Sequence, residues 1–116
     1  MRLSIRLLSA LLAFVPVSYA SAQTPMTDDA KMTLYTFDKD TDGQSACYDG
    51  CARNWPPYLG KAGETKGEGW TLIDRTDGTK QWAHKGKPVY LYFEDTKAGD
   101  VLGDGKGGGT WHTLTE

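Results

Sequence analysis

The chain carries one motif twice, and this duplication limits its fold more than any other feature. TLYTFDKDTDG at residues 33–43 is answered fifty-five positions on by PVYLYFEDTKAG at residues 88–99. Tyr35 aligns with Tyr90, Phe37 with Tyr92, Asp40 with Asp95 and Thr41 with Thr96. After one inserted residue, Gly43 aligns with Gly99 and Trp55 with Trp111. Each copy therefore reads Y-x-[aromatic]-x-x-D-T, then a glycine, then a tryptophan. Such spacing is expected of two copies of one packing unit, with each tyrosine ring buried and its hydroxyl held by a partner.

The first residues read as an export signal and not as part of the fold. Arg2 and Arg6 precede an apolar run at residues 7–17, and Ala20-Ser21-Ala22 supplies the small-x-small cleavage pattern, so residues 1–22 are expected to leave before Gln23. The run is shorter than the roughly 18 apolar residues a spanning helix needs. A soluble periplasmic or secreted product without a membrane anchor is the expectation. Without Arg2 and Arg6, 13 basic residues become 11 against 15 acidic ones, a formal charge of −4. That balance disfavours nucleic acid and anionic membrane as partners, since both select basic patches.

The mature length suits one small domain. Residues 23–31 read as a flexible lead-in, 32–60 as copy one, 61–69 as a linker and 70–116 as copy two. Aromatic and β-branched runs at 32–37, 70–74, 80–84, 88–93 and 111–114 read as strands. In the first, Tyr35 and Phe37 share one face and Leu34 takes the other. Asp77-Gly78 predicts a type I′ turn between 70–74 and 80–84, and the three strands from 70 to 93 form a meander. A short helical turn is expected around Cys47 and Cys51, ended by Trp55-Pro56-Pro57. The six glycines of residues 99–109 predict a long mobile loop. No stretch keeps a helical period. The fold class is all-β and mostly antiparallel, with Trp55, Trp70, Trp82 and Trp111 in the core.

LYTFDKDTDG, the Cys47/Cys51 pair, NWPP, DGTKQWAHKGKPVY and a glycine-rich loop ending in TWH follow one another in an order that resembles a bacterial family. Its members are secreted repeats of unknown function, often described as predicted lipoproteins with a Y-x-[FWY]-x-x-D motif. The resemblance implies an envelope protein of undefined biochemistry. The chain departs from the lipoprotein label in having no cysteine at the cleavage site, so the lipid anchor does not carry over.

Four groups of residues are candidates for chemistry. The motif residues Tyr35, Phe37, Asp40, Trp55, Tyr90, Tyr92, Asp95 and Trp111 read as structural, with Asp40 and Asp95 accepting backbone amides in the turns that follow them. Cys47 and Cys51 are expected to form a disulfide in an oxidising compartment; Gly103 and Gly107 stand at their places in copy two. A redox or copper role is the alternative, although His84, His112, Met26 and Met32 lie far off in sequence. Asp38, Asp40, Asp42, Gly43 and Asp49 match positions 1, 3, 5, 6 and 12 of a calcium loop. Against calcium, position 12 is Asp, position 8 is Ser45 and flanking helices are missing. No cofactor is expected, with calcium at Asp38, Asp40, Asp42 and Asp49 as the exception to test. His84 and His112 occupy non-equivalent places and read as surface strand residues. No nucleophile elbow, zinc helix or phosphate loop is present. The expectation is a non-enzymatic module that binds an envelope protein or small ligand; a metal-binding or redox protein and a small hydrolase are its rivals.

Overall fold

The computed structural model describes residues 24–116. The expected signal segment and Gln23 lie outside that range. The fold is small and mostly antiparallel β. Its elements are β1 (Tyr35–Phe37), α1 (Gly50–Asn54), β2 (Leu59–Gly60), β3 (Trp70–Asp74), β4 (Lys80–His84), β5 (Lys87–Pro88), α2 (Lys106–Gly109) and β6 (Trp111–Thr113). β6 pairs with β1, while β4 is flanked by β3 on one side and by β2 and β5 on the other.

The repeats meet back to back at Tyr35 and Tyr90, whose amides and carbonyls exchange two hydrogen bonds of 2.8 and 2.9 Å. Around this point several main-chain contacts made by one copy recur in the other. Leu114 N donates to Leu34 O, and Tyr58 N to Val89 O. Asp38 N donates to Thr110 O, and Phe93 N to Asn54 O. The contacts are those of an approximate two-fold axis between the copies, a self-complementary interface built within one chain.

The copies nevertheless differ in strand regularity, and the cause is chemical. Residues 88–93 do not form the expected continuous strand; only Lys87–Pro88 pairs regularly, with two isolated bridges from Tyr90, to Tyr35 and to Pro57. Their neighbours are Pro56 and Pro57, which accept through carbonyls but have no N–H to donate. Beside the strand of copy one, the equivalent places hold His112 and Thr113 of copy two, so β6 makes a regular ladder with β1.

Alternation along the first strand separates two clusters, as the period of two requires. Tyr35 joins Cys47, Trp55, Tyr90, Tyr92 and Trp111, with Phe37 and Cys51 packed against them. Leu34 joins Val89 and Leu114, backed by Met26, Tyr58, Trp70 and Leu91. Trp55, Trp82 and Trp111 are buried, but Trp70 is half-buried and lies outside the innermost core.

The turns correct several expectations. Between β3 and β4, Gly78 is left-handed but Asp77 is not. Gly78 N donates to Arg75 O and Arg75 N to Thr79 O, a three-residue loop with a bulge instead of a type I′ turn. The two-residue turn with both φ angles positive is Lys85-Gly86, which joins β4 to β5. The lead-in is not loose. Met26 N donates to Leu114 O, Leu34 N to Met26 O, and Asp28 Oδ1 accepts the amides of Ala30 and Met32.

The glycine-rich stretch is likewise built into the fold and is not a free loop. Leu102 N donates to Asp95 Oδ1, Gly103 N to Tyr35 Oη and Gly105 N to Trp111 O. Its single turn, α2, is broken by left-handed Gly107 and Gly108. Cys47 and Cys51 are disulfide-bonded with α-carbons 5.2 Å apart. Only Cys51 lies within α1; Cys47 precedes it. Closing so short a loop stabilises by about 2 kcal/mol on the chain-entropy estimate.

Candidate functional site

The motif tyrosines and aspartates pair crosswise. Tyr35 Oη of copy one donates to Asp95 Oδ2 of copy two at 2.6 Å, and Tyr90 Oη of copy two donates to Asp40 Oδ2 of copy one at 2.6 Å. Each aspartate uses its other oxygen as a local clamp. Asp40 Oδ1 accepts Ala46 N at 2.7 Å, and Asp95 Oδ1 accepts Leu102 N at 2.9 Å. The amide expectation for the two acids is met; the trans-repeat phenol bonds add to it. Both tyrosines are 0% exposed.

Behind the pairs runs a column of four rings, Phe37, Trp111, Trp55 and Tyr92. Successive centroids are 4.1, 3.8 and 4.3 Å apart, and the two indoles at its centre are tilted by only 3°. Tyr35 meets Trp55 edge-on at 5.4 Å, and Tyr90 meets Trp111 edge-on at 5.0 Å. Edge-on and offset contacts are the favourable aromatic geometries.

The symmetry breaks at the second partner of each hydroxyl. Tyr35 Oη accepts Gly103 N directly, at 3.2 Å. In copy one Ser45 stands between: its Oγ is 2.6 Å from Tyr90 Oη and accepts Cys47 N and Arg75 Nη1, each at 3.1 Å. Tyr90 already donates to Asp40, so the serine proton points to the tyrosine and the hydroxyl's capacity is filled. Arg75 is buried, donating Nη1 to Gln81 Oε1 and Nη2 to Cys47 O, with its guanidinium carbon 4.3 Å from the Tyr48 ring centroid. Gln81 Nε2 closes the network on Val89 O. Among the described residues, Arg75 Nε is the buried side-chain polar atom without a hydrogen-bond partner. Nothing in the sequence marks this network, because Ser45 of copy one aligns with Val101 and Arg75 of copy two has no counterpart in copy one.

Burial, and then the bond to a carboxylate, pushes the Tyr35 and Tyr90 phenols far above the ordinary tyrosine range. Burial also raises the Asp40 carboxyl, against the opposing bonds from Tyr90 and Ala46 and the charge of Arg75. For the tyrosines the sign follows directly: a raised folded pKa gives stability that is complete below the unfolded value of about 10 and is lost as pH rises above it. In alkaline titration, Tyr35 and Tyr90 are expected to ionise together with unfolding. Phenolate absorbance should therefore contain a step that coincides with the loss of circular dichroism. Tyr35→Phe and Tyr90→Phe should each shrink it by one phenolate. Two phenols titrating smoothly in the folded protein would contradict the burial of both pairs.

The acidic loop does not gather its carboxylates. Asp38 Oδ2 lies 2.8 Å from His112 Nε2, Asp40 is committed to Tyr90 and Ala46, and Asp42 faces the Gly86 turn. Asp49 precedes α1 without a side-chain capping bond. Among the described residues, no group of three or more His, Cys, Asp or Glu side chains is arranged to hold a metal ion. A cleft of about 150 Å³ lies beside the loop, lined by Asp38, Asp40, Asp42 and Lys87 among others. His84, read from sequence as a surface residue, is buried against Trp70 at 4.8 Å, and burial lowers its pKa. His112 is exposed, as expected.

A family model described as a secreted repeat of unknown function matches the chain twice, at residues 24–58 and 71–115. No curated protein and no solved structure matches it. The first matched segment includes the lead-in, in keeping with the bonds that Met26 makes.

Proposed function

We propose, from the premise that the chain belongs to the family of secreted repeats of unknown function, that it works as a non-enzymatic binding or envelope-associated module in the periplasm. The observation that carries this reading is the crossed pairing of Tyr35 with Asp95 and Tyr90 with Asp40. Tyrosine beside a carboxylate is a pairing with acid–base potential, but a general acid or base must reach the proton it moves. Here both hydroxyls are enclosed and already bonded, and their geometry joins two repeats. No helix among the described residues is long and apolar enough to cross a membrane.

The partner is an envelope protein or a small ligand. Native mass spectrometry of the exported protein, purified without denaturation, tests the reading. The expected result is the mature chain with a non-covalent companion that is lost on unfolding. Turnover of ester, peptide or glycoside substrates that Asp40→Asn abolishes, while the fold persists, would overturn it in favour of a hydrolase.

A further inference from the structure

Outside the crossed pairs, three aromatic rings form a second built feature. Tyr58 lies opposite Trp82 on the strand next to β4, since Trp82 N donates to Tyr58 O and Leu59 pairs with Gln81. Trp70 lies on the other flank of β4, diagonal to Trp82 because Leu72 pairs with Trp82 and Trp70 with His84. Residues in this register share one face of the sheet. Trp70 stands at 89° to both Tyr58 and Trp82, with centroids 6.3 Å away in each case. The rings are three walls of a box.

Its occupant is the chain's own Lys66, carried on the linker between the repeats. Lys66 Nζ lies 5.1 Å from the Tyr58 centroid, 5.7 Å from Trp70 and 5.6 Å from Trp82. All three distances fall within the roughly 6 Å reach of a cation–π contact. Gly60 holds one wall in place: a Cβ there would meet Trp82 Nε1 and Leu72 Cδ2 at 2.7 Å, so the β2 backbone lies directly against the indole. The Tyr58 hydroxyl, and then the charges of Asp29 and Glu64, favour the ammonium form of Lys66 against its partial burial.

We propose that Tyr58, Trp70 and Trp82 form a binding cage for a trimethylammonium group, which Lys66 fills until such a ligand displaces it. The inference rests on the binding-module reading and names the ligand chemistry. A quaternary ammonium is bulky, weakly hydrated and unable to donate hydrogen bonds, and aromatic faces are the surfaces that recognise it. Lys66 demonstrates that the box admits a cation, and it acts as a competitor. If it fills the cage about nine-tenths of the time, it weakens an external ligand about tenfold.

The test titrates tetramethylammonium into the full mature chain, read by calorimetry and tryptophan fluorescence, with parent, Lys66→Ala and Lys66→Ala/Trp70→Leu proteins. Tighter binding by about tenfold in Lys66→Ala is expected, with binding lost in the double variant. Circular dichroism and urea midpoints confirm that each variant is folded. Free choline and vesicles of phosphatidylcholine or phosphatidylglycerol then separate the sources. Binding of choline alone identifies a small solute; binding of phosphatidylcholine but not phosphatidylglycerol vesicles identifies a lipid headgroup. No binding by folded Lys66→Ala, or binding that survives Trp70→Leu, overturns the cage. A companion seen by native mass spectrometry alongside that failure would leave the binding-module reading standing, so the two can fail separately.

Discussion

Replacing Tyr35 or Tyr90 with alanine is expected to cost about 3–5 kcal/mol each, the usual loss for a buried aromatic. Small domains have only about 5–15 kcal/mol of stability, so either change brings the protein close to unfolding. The phenylalanine variants separate ring from hydroxyl. Each keeps the edge-on contact with Trp55 or Trp111 and removes the bond to Asp95 or Asp40. A hydrogen bond to a charged group contributes about 1.5–3 kcal/mol. The two losses should not be equal. Asp95 is only 8% exposed, so water cannot readily replace the phenol, whereas Asp40 is half-buried and can recover a water partner. Tyr35→Phe is therefore expected to fall nearer the upper end and Tyr90→Phe nearer the lower. Urea unfolding of the four variants beside the parent decides this. Alanine variants that keep the parent midpoint while losing a ligand would make the tyrosines a surface site.

The duplication and the strand alternation are legible in the residues themselves. Tyr35 and Tyr90 align without gaps, and the period of two correctly places Leu34 opposite Tyr35. The crossing of the pairs is not legible, since nothing in a tandem repeat says whether Asp40 meets its own copy's tyrosine or the other's. That outcome depends on how two incomplete units cover one another. Arg75 and Ser45 escape for a different reason: each stands in one copy without a counterpart in the other, and a comparison of copies discards what is not shared. The glycine-rich segment misleads because glycine marks both mobile chain and close backbone approach. Gly103 belongs to the second kind. The His84 reading fails because its cross-strand partner is Trp70, whose indole lies against the imidazole, and the sequence alone does not reveal that pairing.

Trp55→Ala is the other large effect expected, again about 3–5 kcal/mol, because it breaks the column between Trp111 and Tyr92 at its centre. Its coupling to Gly103 is the more specific expectation. A Cβ at position 103 would lie 2.7 Å from Trp55 Cη2, 2.9 Å from Trp55 Cζ3 and 2.9 Å from Tyr92 Cγ. All three separations are shorter than real Cβ contacts, and the rings cannot yield without disturbing the stack. Gly103→Ala alone should therefore cost about 1–3 kcal/mol through overpacking. Trp55→Phe removes the outer indole carbons that the new methyl would strike and leaves Tyr92 as the remaining obstacle. In that background the alanine should cost less, and the cycle should show a favourable interaction of about 0.5–1.5 kcal/mol, within the range for residues in contact. The measurement is urea unfolding of the parent, both single variants and the double. Strict additivity would mean that position 103 does not press on Trp55, and the cost of Gly103→Ala would then come from Tyr92 alone.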